Sequence, residues 1–266
     1  MSLPISDGKT FEAYPYQPTS APGYAFTAIF GLSAITHLIL IPVYRSRFTI
    51  PLLLGCILES GGNYGRAWSA SDNGIKPWVL TSLTTLAAPL FIAASMYMAF
   101  GRFVRVLAPD GHAGLKPGVV SKVYVVIDVL CLAAQVGGAG MQATTSRDVQ
   151  EAGSKVILAG LVVHSLAFVA FMIVVAVFHR RIIAEPEGVV KDEVVSWRKH
   201  IWALYATSMA ILGRDGSLMQ SEAPIFALDA APMAFVVVLY IFLHPGRLVR
   251  QARTYYQAAG GSKVEA

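Results

Sequence analysis

Charged side chains are scarce in this sequence. Asp, Glu, Lys and Arg make up 14% of its 266 residues, and hydrophobic residues reach 55%. An average soluble domain carries about 25% charged residues, so this chain cannot build an ordinary water-facing surface. Cysteine is also rare: Cys56 and Cys131 make no metal framework, and both fall within apolar runs, where small core residues are expected.

Several enzymatic and cofactor-dependent classes lack the residues that they require. No segment fits G-x-x-x-x-G-K-[ST], which excludes ATP hydrolysis by a P-loop. A seven-helix retinal protein needs a lysine in its last span, and none lies between Glu222 and His244. The pairing H-x-x-x-H expected of an intramembrane zinc hydrolase is missing too. We therefore expect no enzyme, no metal site and no cofactor.

Long apolar runs dominate what is present. Six runs of about 20 residues match the ~30 Å hydrocarbon core of a bilayer, and a seventh, over 201–212, is short. Because backbone amides in lipid must be paired internally, continuous runs of this kind are expected to be helices rather than barrel strands. The predicted fold is all-α, a polytopic bundle of seven transmembrane helices with a shortened sixth. The six long runs cover 24–44, 48–68, 77–100, 123–143, 156–178 and 224–243.

Lys and Arg are unevenly shared between the two sides of this predicted bundle. Fifteen of the 21 fall on one side, which places the N-terminus outside and the C-terminus in the cytosol, provided that the short run also crosses. The predicted organisation is a polar extracellular tail over 1–23, the bundle over 24–246 and a basic cytosolic tail over 247–266. We expect the plasma membrane or an endomembrane as the location. The net charge of +5 lies in the cytosolic loops and indicates anionic inner-leaflet lipids, rather than nucleic acid, as a partner.

Polar side chains inside the apolar runs are the candidate substrate-binding residues. Three runs each carry two such residues seven positions apart, which places both on one helix face. Ionisable groups deep in a membrane are expected to face the bundle interior, where a functional role is the default interpretation. The candidates are Glu59 and Arg66 with Asn63 between them, Asp128 and Gln135, Glu222 and Asp229, together with His164 of the fifth run.

Structural alternatives exist for the same residues. Glu59 and Arg66 could form a salt bridge near the outer interface that fixes helix register. His37 and His164, each taken alone, are more typical of hydrogen-bonded packing residues than of a site. Gly137, Gly138 and Gly140 follow Gln135 and are small enough to let a neighbouring backbone approach closely.

A set of motifs on separate helices carries a family resemblance. They are E-S-G-G-N-Y-G-R over 59–66, L-A-A-P over 86–89, Asp128 with Gln135, G-R-D-G over 213–216 and H-P-G over 244–246. Over almost its whole length the chain resembles the fungal RTA-like proteins. These are seven-span lipid-translocating exporters, associated with release of sphingoid long-chain bases and with resistance to toxic amphiphiles. The resemblance implies that the polar residues of the three stripes match positions that recur in the family.

The chain departs from the family pattern at three places. Asn63 stands where the family usually has a tyrosine, and His164 where it usually has a glutamine. A basic stretch of about ten residues, with two arginines and a glutamate, is missing between Leu212 and Gly213. This apparent deletion shortens the sixth helix and removes cations that could neutralise Glu222 or Asp229.

The expected function is transport of an amphipathic lipid with a cationic head group. Four buried carboxylates against the single Arg66 suit an ammonium group, and a path lined by carboxylates lowers the cost of moving that group through hydrocarbon. Two alternatives stay open: a seven-helix receptor or sensor for a lipid-like ligand, and a paralogue that the deletion has inactivated. Membrane lipids or amphipathic small molecules are the expected partners, and the sequence leaves the oligomeric state and the energy source open.

Overall fold

The computed structural model describes residues 19–72, 74–107, 117–142, 144, 146–184, 196–215 and 230–258. In this part of the chain the regular structure is helical and contains no strand, which confirms the all-α class. A short 3-10 turn, Arg47–Thr49, joins the first two helices. The helices described are α1 (Ser20–Tyr44), α2 (Ile50–Trp68), α3 (Ile75–Leu107), α4 (Pro117–Gln142), α5 (Arg147–Ala184), α6 (Trp197–Asp215), α7 (Ala231–Phe242) and α8 (Pro245–Ala258).

Five segments are long and apolar enough to cross a membrane. They are α1, α3, α5, the Gly118–Gln142 part of α4 and the stretch Ala231–Tyr255, which covers α7 and most of α8. The chain is therefore an integral membrane protein. The helices α2 and α6 have 19 residues each, about 28 Å at 1.5 Å per residue.

The bundle is apolar on its outside and polar within. Leu32 of α1 is 66% exposed and Leu166 of α5 is 65% exposed, whereas Glu59, Asp128 and His164 are buried. A soluble protein would reverse this arrangement, because water favours charged groups at the surface. An apolar exterior of this extent fits a lipid environment.

Helices α1 to α5 run antiparallel to their neighbours in the chain. Ser60 of α2 meets Thr27 of α1, and Gly65 of α2 lies against Thr81 of α3. Ser121 of α4 donates to the Tyr97 carbonyl of α3 over 2.8 Å. Each contact joins an early residue of one helix to a late residue of its neighbour, and Gly153 of α5 lies against Gly138 of α4 in the same way. Five consecutive segments alternate in direction, and α2 is one of them.

Helix α7 runs parallel to α1. His37 of α1 contacts the Val237 carbonyl over 3.0 Å, and Tyr44, seven residues later, stacks on His244, seven residues after Val237. Helix α6 lies between α5 and α7: the His179 ring of α5 contacts Trp197 and Tyr205. The α6 helix begins near the end of α5 and therefore runs back along it.

The bounds of the helices differ from the sequence expectation at the two ends of the bundle. Helix α1 begins at Ser20, so the last residues of the predicted tail 1–23 are helical. The described part of the predicted basic tail 247–266 lies in α8. Leu248 and Ala252 are buried there, and Arg247 and Arg250 are exposed. A periodic apolar face on a basic segment explains this helix.

Candidate functional site

The polar stripe of α2 faces the neighbouring helices. Glu59 is 1% exposed and Arg66 is 5% exposed, and Asn63 is buried as well. The Asn63 side-chain amide donates to the Glu59 carbonyl over 2.9 Å. The lipid-facing side of the same helix carries Ile57 and Tyr64, both exposed. The prediction that this stripe faces the bundle interior is confirmed.

Glycines allow α2 to pack closely on both sides of its polar stripe. A Cβ atom placed on Gly62 would lie 2.7 Å from the Thr85 hydroxyl oxygen, and one on Gly65 would lie 3.1 Å from the Thr81 backbone nitrogen. On the opposite side, a Cβ on Gly23 of α1 would lie 2.8 Å from Ala67 Cβ. Small residues at such contacts let helix backbones approach, which is how helices in lipid gain van der Waals contact.

A second pair of glycines holds α4 against α5. A Cβ on Gly138 would lie 2.8 Å from the Gly153 carbonyl oxygen, and a Cβ on Gly153 would lie 2.6 Å from the Gly138 carbonyl oxygen. Within the described part of the chain, Gly137 and Gly140 have no such neighbour within 4 Å. Of the three glycines expected to admit a neighbouring backbone, Gly138 does so, whereas Gly137 and Gly140 face away from α5.

This close approach brings Asp128 and His164 into direct contact. The His164 Nδ1 atom lies 3.0 Å from Asp128 Oδ1, and the two side chains are 1% and 3% exposed respectively. When Asp128 is ionised its carboxylate can only accept, and the hydrogen bond then uses the Nδ1 proton of His164. The pair allows a carboxylate to be buried among apolar helices, because the imidazole supplies the hydrogen bond that hydrocarbon cannot.

Tyr97 of α3 completes the surroundings of this pair. Its hydroxyl lies beside the Asp128 carboxylate without meeting hydrogen-bond geometry, and its ring packs edge-on against Phe171 at 4.6 Å. Phe168 lies between the Tyr97 and His164 rings, at centroid distances of 5.9 and 6.0 Å. Aromatic rings thus separate the polar pair from the rest of the core and keep its partners at fixed positions.

Several buried polar atoms near this pair keep unused hydrogen-bonding capacity within the part of the chain that the structure describes. They include Oδ2 of Asp128, Nε2 of His164, the Tyr97 hydroxyl and both amide atoms of Gln135. Gln135 lies two turns from Asp128 on α4, under Gly160 of α5, whose Cβ would lie 3.2 Å from Gln135 Cγ. Buried polar atoms without partners are costly, and such groups in native proteins call for an explanation, such as a ligand or a catalytic role.

The predicted site residues fall into two groups in the described helices. Asp128, Gln135 and His164 lie at the α4 and α5 interface, and Glu59, Asn63 and Arg66 lie on α2. Helix α3 separates the groups. Ala88 contacts Gly55 of α2, whereas Tyr97 lies nine residues further along, on the opposite face of α3, and faces α4 and α5. Glu222 and Asp229 lie outside the described residues.

The sequence reasoning missed two contacts of these residues. It did not single out Tyr97 as a neighbour of Asp128, although a tyrosine hydroxyl deep in an apolar run needs a polar partner. It did not pair His164 with Asp128 in one contact, since the register between α4 and α5 cannot be read from either helix alone. His37 is confirmed as a hydrogen-bonded packing residue by its contact with the Val237 carbonyl.

Both cysteines lie in the described helices. Cys56 and Cys131 are both free and buried, as expected for small core residues. Among the described residues no group of three His, Cys, Asp or Glu side chains is arranged to hold a metal ion. The described part of the site holds one hydrogen-bonded acid and imidazole pair with a nearby amide and phenol.

Most of the chain matches one protein family. The family model described as RTA1 like protein matches residues 52–252. The chain belongs to this family. The resemblance noted from the motifs is thereby confirmed, and the matched region contains all eight candidate residues.

Three relatives of this chain come from Saccharomyces cerevisiae. Protein RTA1 is 27% identical, over 88% of this chain and 85% of its own length. Protoporphyrin uptake protein 1 is 30% identical, over 72% of this chain and 66% of its own length. Sphingoid long-chain base transporter RSB1 is 22% identical, over 82% of this chain and 69% of its own length. No solved structure matches this chain.

Proposed function

We propose that this protein moves amphipathic lipids across a membrane, that its substrates are sphingoid long-chain bases or similar cationic amphiphiles, and that it acts in efflux or toxin resistance. In this proposal it is a transporter rather than an enzyme, in the plasma membrane or an endomembrane. The observation that carries the proposal is the buried Asp128 carboxylate, with one oxygen bound to His164 and the other without a partner among the described residues. The name of the relative RSB1 indicates the same substrate class.

The chemistry of the pair suits an ammonium head group. A primary ammonium carries three donors and a positive charge, so it can satisfy the second Asp128 oxygen and the Gln135 carbonyl while its charge is neutralised. The exposed apolar flanks of α4 and α5, such as Leu130 and Leu166, give the acyl tail a lipid-like surface beside the head group. The imidazole of His164 also offers a route by which a proton could replace the substrate on the carboxylate.

We further propose seven spans, with the N-terminus outside and the C-terminus in the cytosol. The alternation of α1 to α5 supports α2 as a span, because its neighbours on both sides run the opposite way. Because α1 and α7 run in the same direction, an odd number of crossings from α1 to α7, with both counted, fits their alignment. Lys and Arg are concentrated on the side where α1 ends and α8 begins, which favours the cytosol for that side.

The length of α6 argues against an inactive paralogue. With 19 residues it reaches about 28 Å, close to the hydrocarbon thickness, although it lacks the stretch that the family carries there. Thr207 of α6 lies 3.4 Å from the Tyr240 hydroxyl of α7, so the helix still makes a buried polar contact with its neighbour. The shortened helix keeps its place in the bundle, and a receptor or sensor would need the same topology.

Efflux measured in cells tests the proposed substrate-binding role. Cells that express the full chain are loaded with a labelled sphingoid base, and release into the medium is followed over time. We expect Asp128→Asn to lower the release rate by about tenfold or more, because an amide cannot neutralise an ammonium charge. The exposed Asp148 at the start of α5 provides the matched control, and Asp148→Asn should release the base at the unaltered rate.

Membrane expression of both variants is compared first, so that a folding defect is recognised. Equal release by Asp128→Asn, Asp148→Asn and the unaltered chain, at equal expression, would remove Asp128 from the transport path. Binding of the base without any release by the unaltered chain would favour a receptor over a transporter.

A further inference from the structure

A basic cavity lies at the end of the bundle where α1 stops and α8 starts. Its volume is about 520 Å³, within the range of small-molecule sites. Four arginines line it, Arg45, Arg102, Arg250 and Arg253, and its twelve lining residues include no acid. It lies away from the Asp128 and His164 pair and plays no part in the proposed transport site. Among the described residues the cavity wall carries several arginines and no carboxylate, and a wall of this charge favours an anion.

The arginines are held in place by the surrounding backbone and rings. Arg102 places its guanidinium 4.7 Å from the centre of the Phe48 ring, and Arg250 donates to the Val43 carbonyl over 3.2 Å. Each of these contacts uses one face or one N–H group and leaves other donors of the guanidinium available. Phosphate is the anion that such forked donors fit best, because two N–H groups can bind two of its oxygens at once.

The floor of the cavity is rigid. A Cβ on Gly246 would lie 2.6 Å from Ser46 Cβ and 2.9 Å from Tyr44 Cβ, so the start of α8 sits directly on the turn after α1. His244, just before it, stacks on the Tyr44 ring at 5.0 Å. The arginines of α1 and α8 therefore keep a fixed separation, which lowers the entropy lost when a ligand binds between them.

Arg45 adopts a backbone conformation that favours another residue. Its φ is 52°, in the left-handed region, at the residue that caps α1. Glycine usually occupies such a position because a side chain there is strained. Strain of this kind is typical of functional positions, where the side chain is needed despite its cost. The Arg45 side chain lines the cavity, which provides that need.

We propose that this cavity binds the phosphorylated head group of an anionic lipid, with a phosphate monoester between Arg45, Arg102 and Arg250. The exposed Pro42 and Val43 form the lipid-side rim, where the acyl chains would continue into the bilayer. Basic pockets between transmembrane helices at the cytosolic side are the usual form of such sites. The leaflet in which the lipid lies rests on the proposed orientation, and the site itself does not.

Binding is measured on the purified full chain in phosphatidylcholine nanodiscs, with a fluorescent phosphatidylinositol 4-phosphate as the probe. We expect the double variant Arg45→Gln and Arg250→Gln to weaken binding by about tenfold or more, because two charge-assisted contacts to phosphate are lost. The matched control is Arg47→Gln with Arg247→Gln, which removes the same charge from the same turn and helix outside the cavity lining. That control should change binding less than about twofold.

Equal weakening by the two double variants would mean general attraction to a basic surface and would overturn the proposal. Equal binding of a fluorescent phosphatidylserine at the same net charge would overturn it as well. A soluble inositol phosphate, added as competitor, separates the sources: displacement at the affinity of the lipid probe identifies a free phosphate as the ligand of the same arginines, and weak displacement identifies the lipid. Sphingoid base efflux by the Arg45→Gln and Arg250→Gln variant is recorded separately, so failure here leaves the proposed function standing.

Discussion

Helix α2 and the α4 and α5 pair both carry ionisable groups into an apolar bundle, and they do so in different ways. A glycine of α1 lies against α2, and glycines of α2 lie against α3. Glu59 and Arg66 are therefore enclosed between α1 and α3. Helix α4 lies nearer to the outside of the bundle. In its most apolar window 17% of the residues are buried inside the protein, compared with 50% in that of α3. The charges of α2 are enclosed by close packing on two sides, whereas the charge of α4 lies in a more exposed helix and is bonded to His164.

This difference indicates which region can exchange partners during transport. A polar side chain enclosed between closely packed helices becomes accessible only if the helices separate, and their separation costs many van der Waals contacts. A carboxylate held by one hydrogen bond to His164 can exchange that bond for a ligand once the side chains that cover the pair move aside. The α4 and α5 interface is therefore the more suitable place for a substrate that enters and leaves, and α2 is suited to a fixed charge environment.

Removing the partner of Asp128 should have the largest effect on stability. His164→Leu leaves a buried carboxylate without its hydrogen-bonding imidazole, and breaking a buried pair in this way costs about 3–5 kcal/mol. Replacing both partners, Asp128→Leu with His164→Leu, removes the uncompensated charge, and we expect it to recover stability to within about 1 kcal/mol of the unaltered chain. Unfolding is followed by a denaturing detergent titration in mixed micelles. A double variant as unstable as the single one would show that the two side chains do not act as a pair.

Adding a side chain to the enclosed face of α2 should have an intermediate effect. Gly65→Val places a Cβ 2.7 Å from the Thr81 hydroxyl oxygen and 3.1 Å from its backbone nitrogen, and overpacking of this kind costs about 1–3 kcal/mol. Gly61, on the same helix, is the matched control, since its Cβ would lie 3.7 Å from the nearest side-chain atom, Thr84 Cγ2. Gly61→Val should stay within about 0.5 kcal/mol in the same titration. Equal losses from the two would mean that any added side chain on α2 is costly, and that the close contact with Thr81 of α3 does not set the cost.

The sequence was sufficient for the helices and for the rarity of their polar residues. Hydropathy and length located α1 to α5, because each run must pair its backbone within itself. Rarity and the seven-residue spacing to Gln135 selected Asp128, and rarity selected His164, since ionisable groups inside apolar runs are expensive. The separation of the two polar groups by α3 could not be predicted, because it depends on which helix packs on the Ala88 face of α3 and which on the Tyr97 face.

Contacts between distant residues were beyond the sequence for a geometric reason. Asp128 and His164 are 36 positions apart, and their contact depends on the register that Gly138 and Gly153 set between two helices. A shift of one residue turns a side chain by about 100°, so Gly137 faces away while Gly138 packs. The basic cavity combines Arg45, Arg102 and Arg250 from three helix ends, and the sequence showed only that each lies in a basic loop.

The contact between α1 and α2 should give the smallest effect of the three. Ser60 donates its hydroxyl to the Thr27 carbonyl over 3.0 Å, and interhelical hydrogen bonds of this kind in membrane proteins average about 0.6 kcal/mol. Ser60→Ala should therefore lower stability by about this amount, because close packing by Gly23 against Ala67 remains in place. Thr36→Ala is the control: the Thr36 hydroxyl donates only to the Leu32 carbonyl of its own helix, on the exposed side. A loss for Ser60→Ala near that of Gly65→Val would mean that hydrogen bonds, rather than backbone packing, hold α2 in place, and the contrast between α2 and the α4 and α5 pair would then disappear.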